Sequence, residues 1–351
     1  MAAIYLHIPF REPPSPDEES AFTAAVIREV ERYARPRFTD PGFRTLYVGG
    51  GRPSFLSPSA LGTLVKNILK TLSATTIEEA TLELSSADAS PSFLHTLRNL
   101  GFTRLSIDGR STSKEELSTL VHQVRASGFA SLSVDLVFGG AEQSLAAWKR
   151  DLHQAVDLWV PHVTLHERES EGTKKDEDER ADHFAFAMTY LDAKGYDQYE
   201  LTHFARPSHR SRYQEHVYAH GNVLGLGPGA ESFWWPDRTD PSTAERWSNV
   251  TDVATYVERL RNDASPVAKR DALNRAELAR EYILLRLRTG AGLDLNVLAD
   301  RYGVALRDHR AATLERLATE GLIHDDPRHV RLTLRGRLLA DAVTQRLIWK
   351  E

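Results

Sequence analysis

The stretch AAIYLHIPF (residues 2–10), followed by REPPSPDEESAF (11–22), decides the fold class of this chain. The run IYLHI (4–8) is rich in apolar and β-branched residues, which predicts a buried strand. After a short proline-containing loop, the segment Glu19–Tyr33 predicts a helix. A buried strand that leads into a helix is the basic unit of a parallel α/β fold.

The same pattern repeats through the first half of the chain. Further strands are predicted at TLYVG (45–49), EATLEL (79–84), TRLSI (103–107), SLSVDLVF (131–138) and HVTLH (162–166). Helices are predicted between them at Ser57–Leu72, Ser92–Leu100, Lys114–Ser127 and Ser144–Leu158. Ser57 and Pro58 carry clear start signals, because a hydroxyl caps a helix and proline suits its first position.

The character of the sequence changes after Pro236. Before that point, one more strand is predicted at QYELTHFA (198–205). After it, three helices are predicted at Leu273–Arg288, Leu293–Tyr302 and Asp308–Glu320. The strand-like segments LIHDD (322–326) and HVRLTL (329–334) follow, and a final helix begins at Arg335. Three helices with a β-hairpin form the outline of a winged-helix domain.

Motifs across nearly the whole chain point to one family. They are HIPF (7–10), VGGGRPSFLSP (48–58), EATLELSSADAS (79–90), GYDQYELTHFARP (195–207), LGLGPGAESF (224–233) and LTLRGRLLADAV (332–343). They resemble the HemW/HemN-like (oxygen-independent coproporphyrinogen III oxidase-like) radical-SAM family. The resemblance implies an α/β fold: a partial (β/α)6 TIM-type barrel of the radical-SAM kind over residues 1–235, then a helical, winged-helix-like domain over 236–351.

The chain departs from that family at its cluster-binding cysteines. Where the family has C-x3-C-x2-C, this chain has Arg11, Ser15 and Glu18, and it contains no cysteine anywhere. Thiolates hold a four-iron, four-sulfur cluster, and an arginine guanidinium cannot ligate iron. We therefore expect no iron–sulfur cluster, no radical chemistry and no native metal site.

The resemblance also implies a residual S-adenosylmethionine pocket. Its candidate residues are Tyr5, Gly49, Gly50, Gly51, Glu83 and Asp135, which match family positions near the nucleoside and the amino group. The glycines could instead permit a tight turn, and the carboxylates could cap neighbouring loops. Because the cluster that anchors this cofactor is not expected, we do not expect S-adenosylmethionine to bind.

Histidines are dense between residues 203 and 220, and His209 and His216 are the candidate haem ligands because imidazole commonly ligates haem iron. The family's H-N-x-x-Y-W stretch, linked to haem handling, reads YQEHVYA (213–219) here. A solvated polar loop with neighbouring arginines explains the same histidines without iron.

Composition excludes other classes of function. A net charge of −5 in 351 residues gives no general attraction to nucleic acid or membranes. No apolar run is long enough to span a bilayer, and we expect a cytoplasmic protein. Arginines of the C-terminal part, such as Arg307 and Arg310, are interleaved with acids, so we do not expect nucleic-acid binding.

Two classes of function stay open from the sequence. The first is a HemW-like protein that binds haem or a related tetrapyrrole and passes it on without radical chemistry. The second is a degenerate paralogue that acts as a protein partner or regulatory subunit. An active coproporphyrinogen III oxidase-like radical-SAM enzyme is the third reading, and the missing cysteines argue against it.

Overall fold

The computed structural model describes residues 1–35, 38, 42–109, 114–140, 143–168 and 174–348. The chain divides into two compact units. The first contains residues 1–132, 211–217 and 221–273, and the second contains 133–210, 218–220 and 274–351. The domain boundary expected at residue 236 stays a prediction.

Strands and helices alternate through the first half of the described chain. In order they are β1 (Ala2–Ile8), α1 (Pro16–Arg32), β2 (Phe43–Gly50), α2 (Pro58–Thr71), β3 (Glu79–Ser85), α3 (Pro91–Asn99), β4 (Arg104–Asp108), α4 (Lys114–Ala126), β5 (Ser131–Phe138), α5 (Leu145–Asp157), β6 (His162–Glu167) and α6 (Lys174–Ala193).

Shorter elements follow. They are β7 (Asp197–Gln198), β8 (His203–Ala205), α7 (Arg212–Tyr218), β9 (Asn222–Leu226), β10 (Glu231–Trp234), β11 (Glu245–Asn249), α8 (Val253–Arg261) and β12 (Val267–Ala272). The C-terminal part contains α9 (Arg275–Leu287), β13 (Leu293–Asp294), α10 (Leu295–Tyr302), α11 (Leu306–Thr319), β14 (Ile323–Asp325), β15 (His329–Leu332), α12 (Leu334–Leu338) and α13 (Ala340–Leu347).

The sheet of the first unit has a parallel and an antiparallel half. Strands β9, β1, β2, β3 and β4 lie side by side, and each neighbouring pair among them is parallel. On the other side of β9, strands β10, β11 and β12 continue the sheet with antiparallel pairing. Strand β1 is central, and its Ile4, Leu6 and Ile8, which share one face of the sheet, are fully buried.

The second unit contains the parallel pair β5 and β6, with β8 and β7 added antiparallel beside β6. Its C-terminal part is helical and carries the small antiparallel sheet β13-β15-β14. The sequence-based prediction of α/β structure followed by helices and a hairpin is therefore confirmed.

Local signals explain most element starts. The Ser57 hydroxyl accepts a hydrogen bond from the Ala60 amide, and Pro58 is the first residue of α2, as predicted. The prediction of one strand over 198–205 was wrong. The Glu200 carboxylate accepts hydrogen bonds from the Thr202 amide and hydroxyl, which turns the chain so that β7 and β8 pair with each other.

Among the helices of the described residues, none combines the length and the apolar character needed to cross a membrane.

Candidate functional site

The loop that resembles the cluster-binding segment starts a helix. Ser15 is the N-cap of α1, and its hydroxyl accepts a hydrogen bond from the Glu18 amide. The Glu18 carboxylate in turn accepts from the Ser15 amide at 2.7 Å and from its hydroxyl at 2.7 Å, which completes a capping box. These hydrogen bonds lower the pKa of Glu18.

These residues do not fit an iron–sulfur cluster. Arg11 is exposed and supplies only a cation, while Ser15 and Glu18 use their oxygens on each other. None of the three offers the thiolate that such a cluster requires. Their arrangement satisfies amides at the start of α1 that would otherwise lack partners.

The triple-glycine loop closes on Glu83. The Glu83 carboxylate accepts hydrogen bonds from the Gly50 amide at 2.9 Å and from the Tyr47 hydroxyl at 2.7 Å. A Cβ on Gly49 would lie 2.6 Å from the Glu83 carboxyl carbon, and a Cβ on Gly51 would lie 2.3 Å from the Phe10 carbonyl oxygen. The glycines are therefore needed for close approach of the loop to β1 and β3.

Arg52, which replaces the family's threonine, is neutralised locally. Its Nε and Nη2 donate to the two Asp88 oxygens at 2.6 and 2.7 Å, and its guanidinium stacks over Phe55. Because Asp88 pairs with Arg52, this arginine does not place an unpaired positive charge beside the glycine loop.

Tyr5 belongs to a cluster of three tyrosines beside Glu83. The ring of Tyr213 lies 4.7 Å from that of Tyr47 and 6.3 Å from that of Tyr5, measured between centroids. Burial, together with the Glu83 charge, raises the pKa of Tyr5. The pKa of Tyr213 is raised by burial and by Tyr5 and Glu83. The hydroxyls of Tyr5 and Tyr213 therefore stay neutral at physiological pH.

Asp135 belongs to the second unit. It lies on β5, half-buried, with its Oδ2 3.6 Å from Nε2 of His166 on the neighbouring strand β6. The structure thus brings Tyr5, Glu83 and the three glycines together in the first unit and gives Asp135 a histidine neighbour within its own unit.

A buried glutamate holds the segment that carries His216. The Glu79 carboxylate at the start of β3 accepts hydrogen bonds from the Ser211 hydroxyl at 3.1 Å and from the amides of Arg212 and Tyr213 at 3.2 and 3.1 Å. Because these groups stand at the N-terminus of α7, the carboxylate caps that helix from another strand. The sequence analysis missed this role, since Glu79 and Ser211 are far apart along the chain.

His216 has one ring nitrogen committed to the backbone. Its Nε2 lies 2.9 Å from the Asn222 carbonyl oxygen. A carbonyl only accepts, so Nε2 carries the proton and Nδ1 keeps its lone pair. Burial lowers the pKa of His216, so the ring is neutral at physiological pH. The ring also lies directly on Gly221, where an added Cβ would be 2.2 Å from Nε2.

The other histidines of this stretch differ in environment. His209 is half-buried in the turn after β8, where its amide donates to the Arg206 carbonyl. His203 is buried with Nδ1 2.7 Å from the Glu200 carboxylate. His220 is buried with its nitrogens on the Tyr302 hydroxyl and the Glu281 carboxylate, at 3.0 and 3.1 Å. His203 and His220 are thus occupied by partners within the second unit.

His162 and His166 share one face of β6, a spacing that two metal ligands can use, but both have protein partners in the structure. Both nitrogens of the buried His162 have protein partners, the Ser133 hydroxyl at 2.7 Å and the Tyr199 hydroxyl at 2.8 Å. Within the ranges that the structure describes, no group of three or more histidines and acids is arranged to hold a metal ion.

Several arginines of the C-terminal part are paired with acids in the same unit. The pairs are Arg307 with Asp325, Arg316 with Glu320, Arg328 with Asp294, Arg331 with Asp326 and Arg346 with Glu320. Pairing reduces the positive charge available for phosphates. The absence of nucleic-acid binding stays a prediction.

Comparison with known proteins shows which family this architecture resembles. The family model for the HemN C-terminal domain matches residues 273–339. The heme chaperone HemW of Mycobacterium tuberculosis (strain CDC 1551 / Oshkosh) is 30% identical, over 95% of this chain and 87% of the relative. The heme chaperone HemW of Bacillus subtilis is 25% identical, over 98% of each.

A solved structure has the same fold. The coproporphyrinogen III oxidase HemN from Escherichia coli, described as a radical SAM enzyme, superposes with a TM-score of 0.80 at 20% identity, over 99% of this chain and 90% of that one. The radical-SAM, HemN-like α/β fold with a C-terminal helical domain is therefore confirmed. Together with the identity to the curated relatives along almost the full chain, this shows that the chain belongs to the HemW family.

Proposed function

We propose that this chain is a HemW-type protein that binds haem, or a related tetrapyrrole, and passes it on without radical chemistry. The observation that carries the proposal is the 30% identity over 95% of the chain to a relative named as a heme chaperone. That identity extends through both units, so it covers the histidine-rich segment as well as the helical C-terminal part. A cytoplasmic location is part of the proposal.

The absence of radical chemistry is supported by the start of α1. Ser15 and Glu18 use their side chains on the helix N-terminus, and Arg11 offers no lone pair for iron. The Gly50 amide already donates a hydrogen bond to the Glu83 carboxylate, so it does not need a ligand as its acceptor. We therefore propose that neither a cluster nor S-adenosylmethionine takes part in the function.

His216 and His209 are the proposed haem ligands. Neutral imidazole with an unprotonated nitrogen is the form that binds iron. His216 is neutral because burial lowers its pKa, and the hydrogen bond from Nε2 to the Asn222 carbonyl orients the ring and leaves Nδ1 as the coordinating atom. His209 lies in a half-buried turn, where its ring could reach a ligand at the surface.

A haem titration tests the proposal directly. Purified protein is titrated with haem, and the Soret band is followed for the wild type, His209→Ala and His216→Ala. The matched control is His95→Ala, an exposed histidine on α3. We expect saturable binding at low micromolar haem that is lost in one test variant and kept in the control. Absence of saturable binding in the wild type would overturn the proposal and leave the partner or regulatory subunit as the hypothesis to test.

A second assay tests whether the protein cleaves S-adenosylmethionine by radical chemistry. The protein is incubated without oxygen with iron, sulfide, dithionite and S-adenosylmethionine, and 5′-deoxyadenosine is quantified. We expect no product above the protein-free blank, with the E. coli HemN enzyme as the positive control. Catalytic formation of 5′-deoxyadenosine would refute the non-radical part of the proposal and favour the coproporphyrinogen oxidase-like reading.

A further inference from the structure

A pocket in the C-terminal part of the second unit has no role in the proposed function. Its volume is about 470 Å³, and it is lined by Gly303, Val304, Leu306, His309 and Arg310. It lies where α10 ends and α11 begins. A volume of this size is within the range of small-molecule sites.

Arg310 is the unusual residue of this pocket. Its Nε is buried and has no hydrogen-bond partner in the described part of the chain. The Nε of Arg307, one turn earlier on α11, is also buried without a partner, but the Arg307 guanidinium is paired with Asp325 at 2.6 Å. Among the described residues no acid pairs with Arg310, so its charge is available to an anionic ligand in the pocket that it lines.

The backbone turns irregular at the same residue. Arg310 has φ −134° and ψ 19°, which interrupts the regular geometry of α11. The exposed His309 stands beside it and adds a second polar side chain at the rim. At the other end of the pocket, Gly303 has a φ of +70° and ends α10, which lets the chain turn sharply there.

The rest of the lining is apolar. Leu306 is 2% exposed and Val304 is half-buried. The side chain of Arg275 packs against Gly303, with its Nη1 2.9 Å from where a Cβ would stand, so a second guanidinium borders this region. A pocket with cationic residues on one side and apolar residues on the other is complementary to a ligand that has an anionic group attached to an apolar part.

We propose that this pocket binds the carboxylate of an amphiphilic molecule. The two terminal nitrogens of the planar Arg310 guanidinium take the carboxylate as a fork. Val304 and Leu306 contact the apolar part of the ligand. Two sources share this chemistry, the propionate of a tetrapyrrole and the head group of a fatty acid. The inference does not depend on haem coordination by His209 or His216.

Isothermal titration calorimetry of the full chain tests the pocket. The probes are decanoate with decanol as its uncharged counterpart, and metal-free protoporphyrin IX with its dimethyl ester. We expect saturable binding of at least one acid and at least tenfold weaker binding of its uncharged counterpart, because charged hydrogen bonds carry about that much affinity. Tighter binding of protoporphyrin IX identifies the tetrapyrrole as the source, and tighter binding of decanoate identifies an acyl chain; either supports the site.

Variants locate the binding. Arg310→Gln should raise the Kd of the preferred acid at least about tenfold, and His309→Ala, an exposed change that spares the fold, about threefold. The matched control is Arg316→Gln on the same helix, whose partner is Glu320, and it should leave the Kd within about twofold. Absence of saturable binding of both acids, an unchanged Kd in Arg310→Gln and His309→Ala, or binding of inorganic phosphate as tight as that of the acids would overturn the proposal.

Discussion

Substitution of the buried Glu29 should change how the stability of the protein depends on pH. Glu29 on α1 has no exposed surface. Its Oε2 accepts hydrogen bonds from the Gly227 amide at 2.8 Å and the Tyr256 hydroxyl at 2.5 Å, and its Oε1 accepts from the Asn249 amide at 2.6 Å. It thereby ties α1 to the glycine-rich turn after β9 and to β11.

Burial raises the pKa of Glu29 from 4.5 to about 7, although the hydrogen bonds from Tyr256, Gly227 and Asn249 act in the opposite direction. Between these two values the folded protein holds a proton that the unfolded chain releases. The stabilising contribution is therefore complete below pH 4.5 and is lost as the pH rises through about 7. For these two pKa values the loss between pH 5 and pH 8 is about 2.5 kcal/mol.

The perturbation is Glu29→Gln, which keeps the shape and cannot ionise. The assay is urea denaturation at pH 5, 6, 7 and 8, with the free energy of unfolding of the wild type compared with that of the variant. We expect the wild type to lose about 2.5 kcal/mol relative to the variant across this range. The matched control is Glu31→Gln, an exposed acid on the same helix.

Two results would refute this reasoning about Glu29. One is a difference between wild type and Glu29→Gln that stays constant from pH 5 to pH 8. The other is a difference of the opposite sign, in which the wild type gains stability relative to the variant as the pH rises. The first would mean that the hydrogen-bond donors around the carboxylate balance its burial, and the second that they outweigh it.

Three further predictions concern other parts of the chain. Ser15→Ala should lower the free energy of unfolding by about 1 kcal/mol and Ser15→Thr should lower it by less, because threonine keeps the hydroxyl that caps α1 and donates to Glu18; an equal loss in both would contradict the capping role. In thermal unfolding, Gly51→Ala should cost about 3 kcal/mol, because its Cβ would meet the Phe10 carbonyl oxygen at 2.3 Å. Gly101→Ala, with open space but φ +92°, should cost only about 1 kcal/mol, and equal costs would exclude steric contact as the cause. For Glu200, burial alone would raise the pKa, but hydrogen bonds and neighbouring positive charges lower it from 4.5 to about 2. The stability that this carboxylate contributes is present above pH 4.5 and is lost as the pH falls towards 2. In acid denaturation, the wild type should therefore lose about 2 kcal/mol of unfolding free energy relative to Glu200→Gln between pH 5 and pH 3. A difference between the two proteins that stays constant over this range would refute the prediction.

The order of strands and helices could be predicted from the sequence because its signals are local. Apolar runs predicted the strands, and the capping signal at Ser57 and Pro58 predicted a helix start, each from a few neighbouring residues. The strand expected at 198–205 failed because the Glu200 side chain bonds the neighbouring backbone and turns the chain, which a β-rich composition does not reveal. Family motifs spread along the chain were enough to recognise the HemW/HemN-like fold.

The roles of the site residues could be predicted only in part. The absence of thiolate ligands follows from the sequence alone, since residue types decide what can ligate iron. The capping box of Ser15 and Glu18 is a local S-x-x-E pattern that the structure confirms. The packing of Tyr213 against Tyr5 and Tyr47 joins segments far apart in the chain and could not be predicted from the sequence.

The sequence by itself thus determined the fold family, the order of its elements and the absence of thiolate ligands. Tertiary packing determines which nitrogen of His216 carries the proton, which carboxylate caps α7 and which arginine of α11 has no acid partner among the described residues. The physical reason is that periodicity, caps and ligand chemistry belong to single residues or their neighbours. Burial and hydrogen-bond pairing arise only when distant segments pack together.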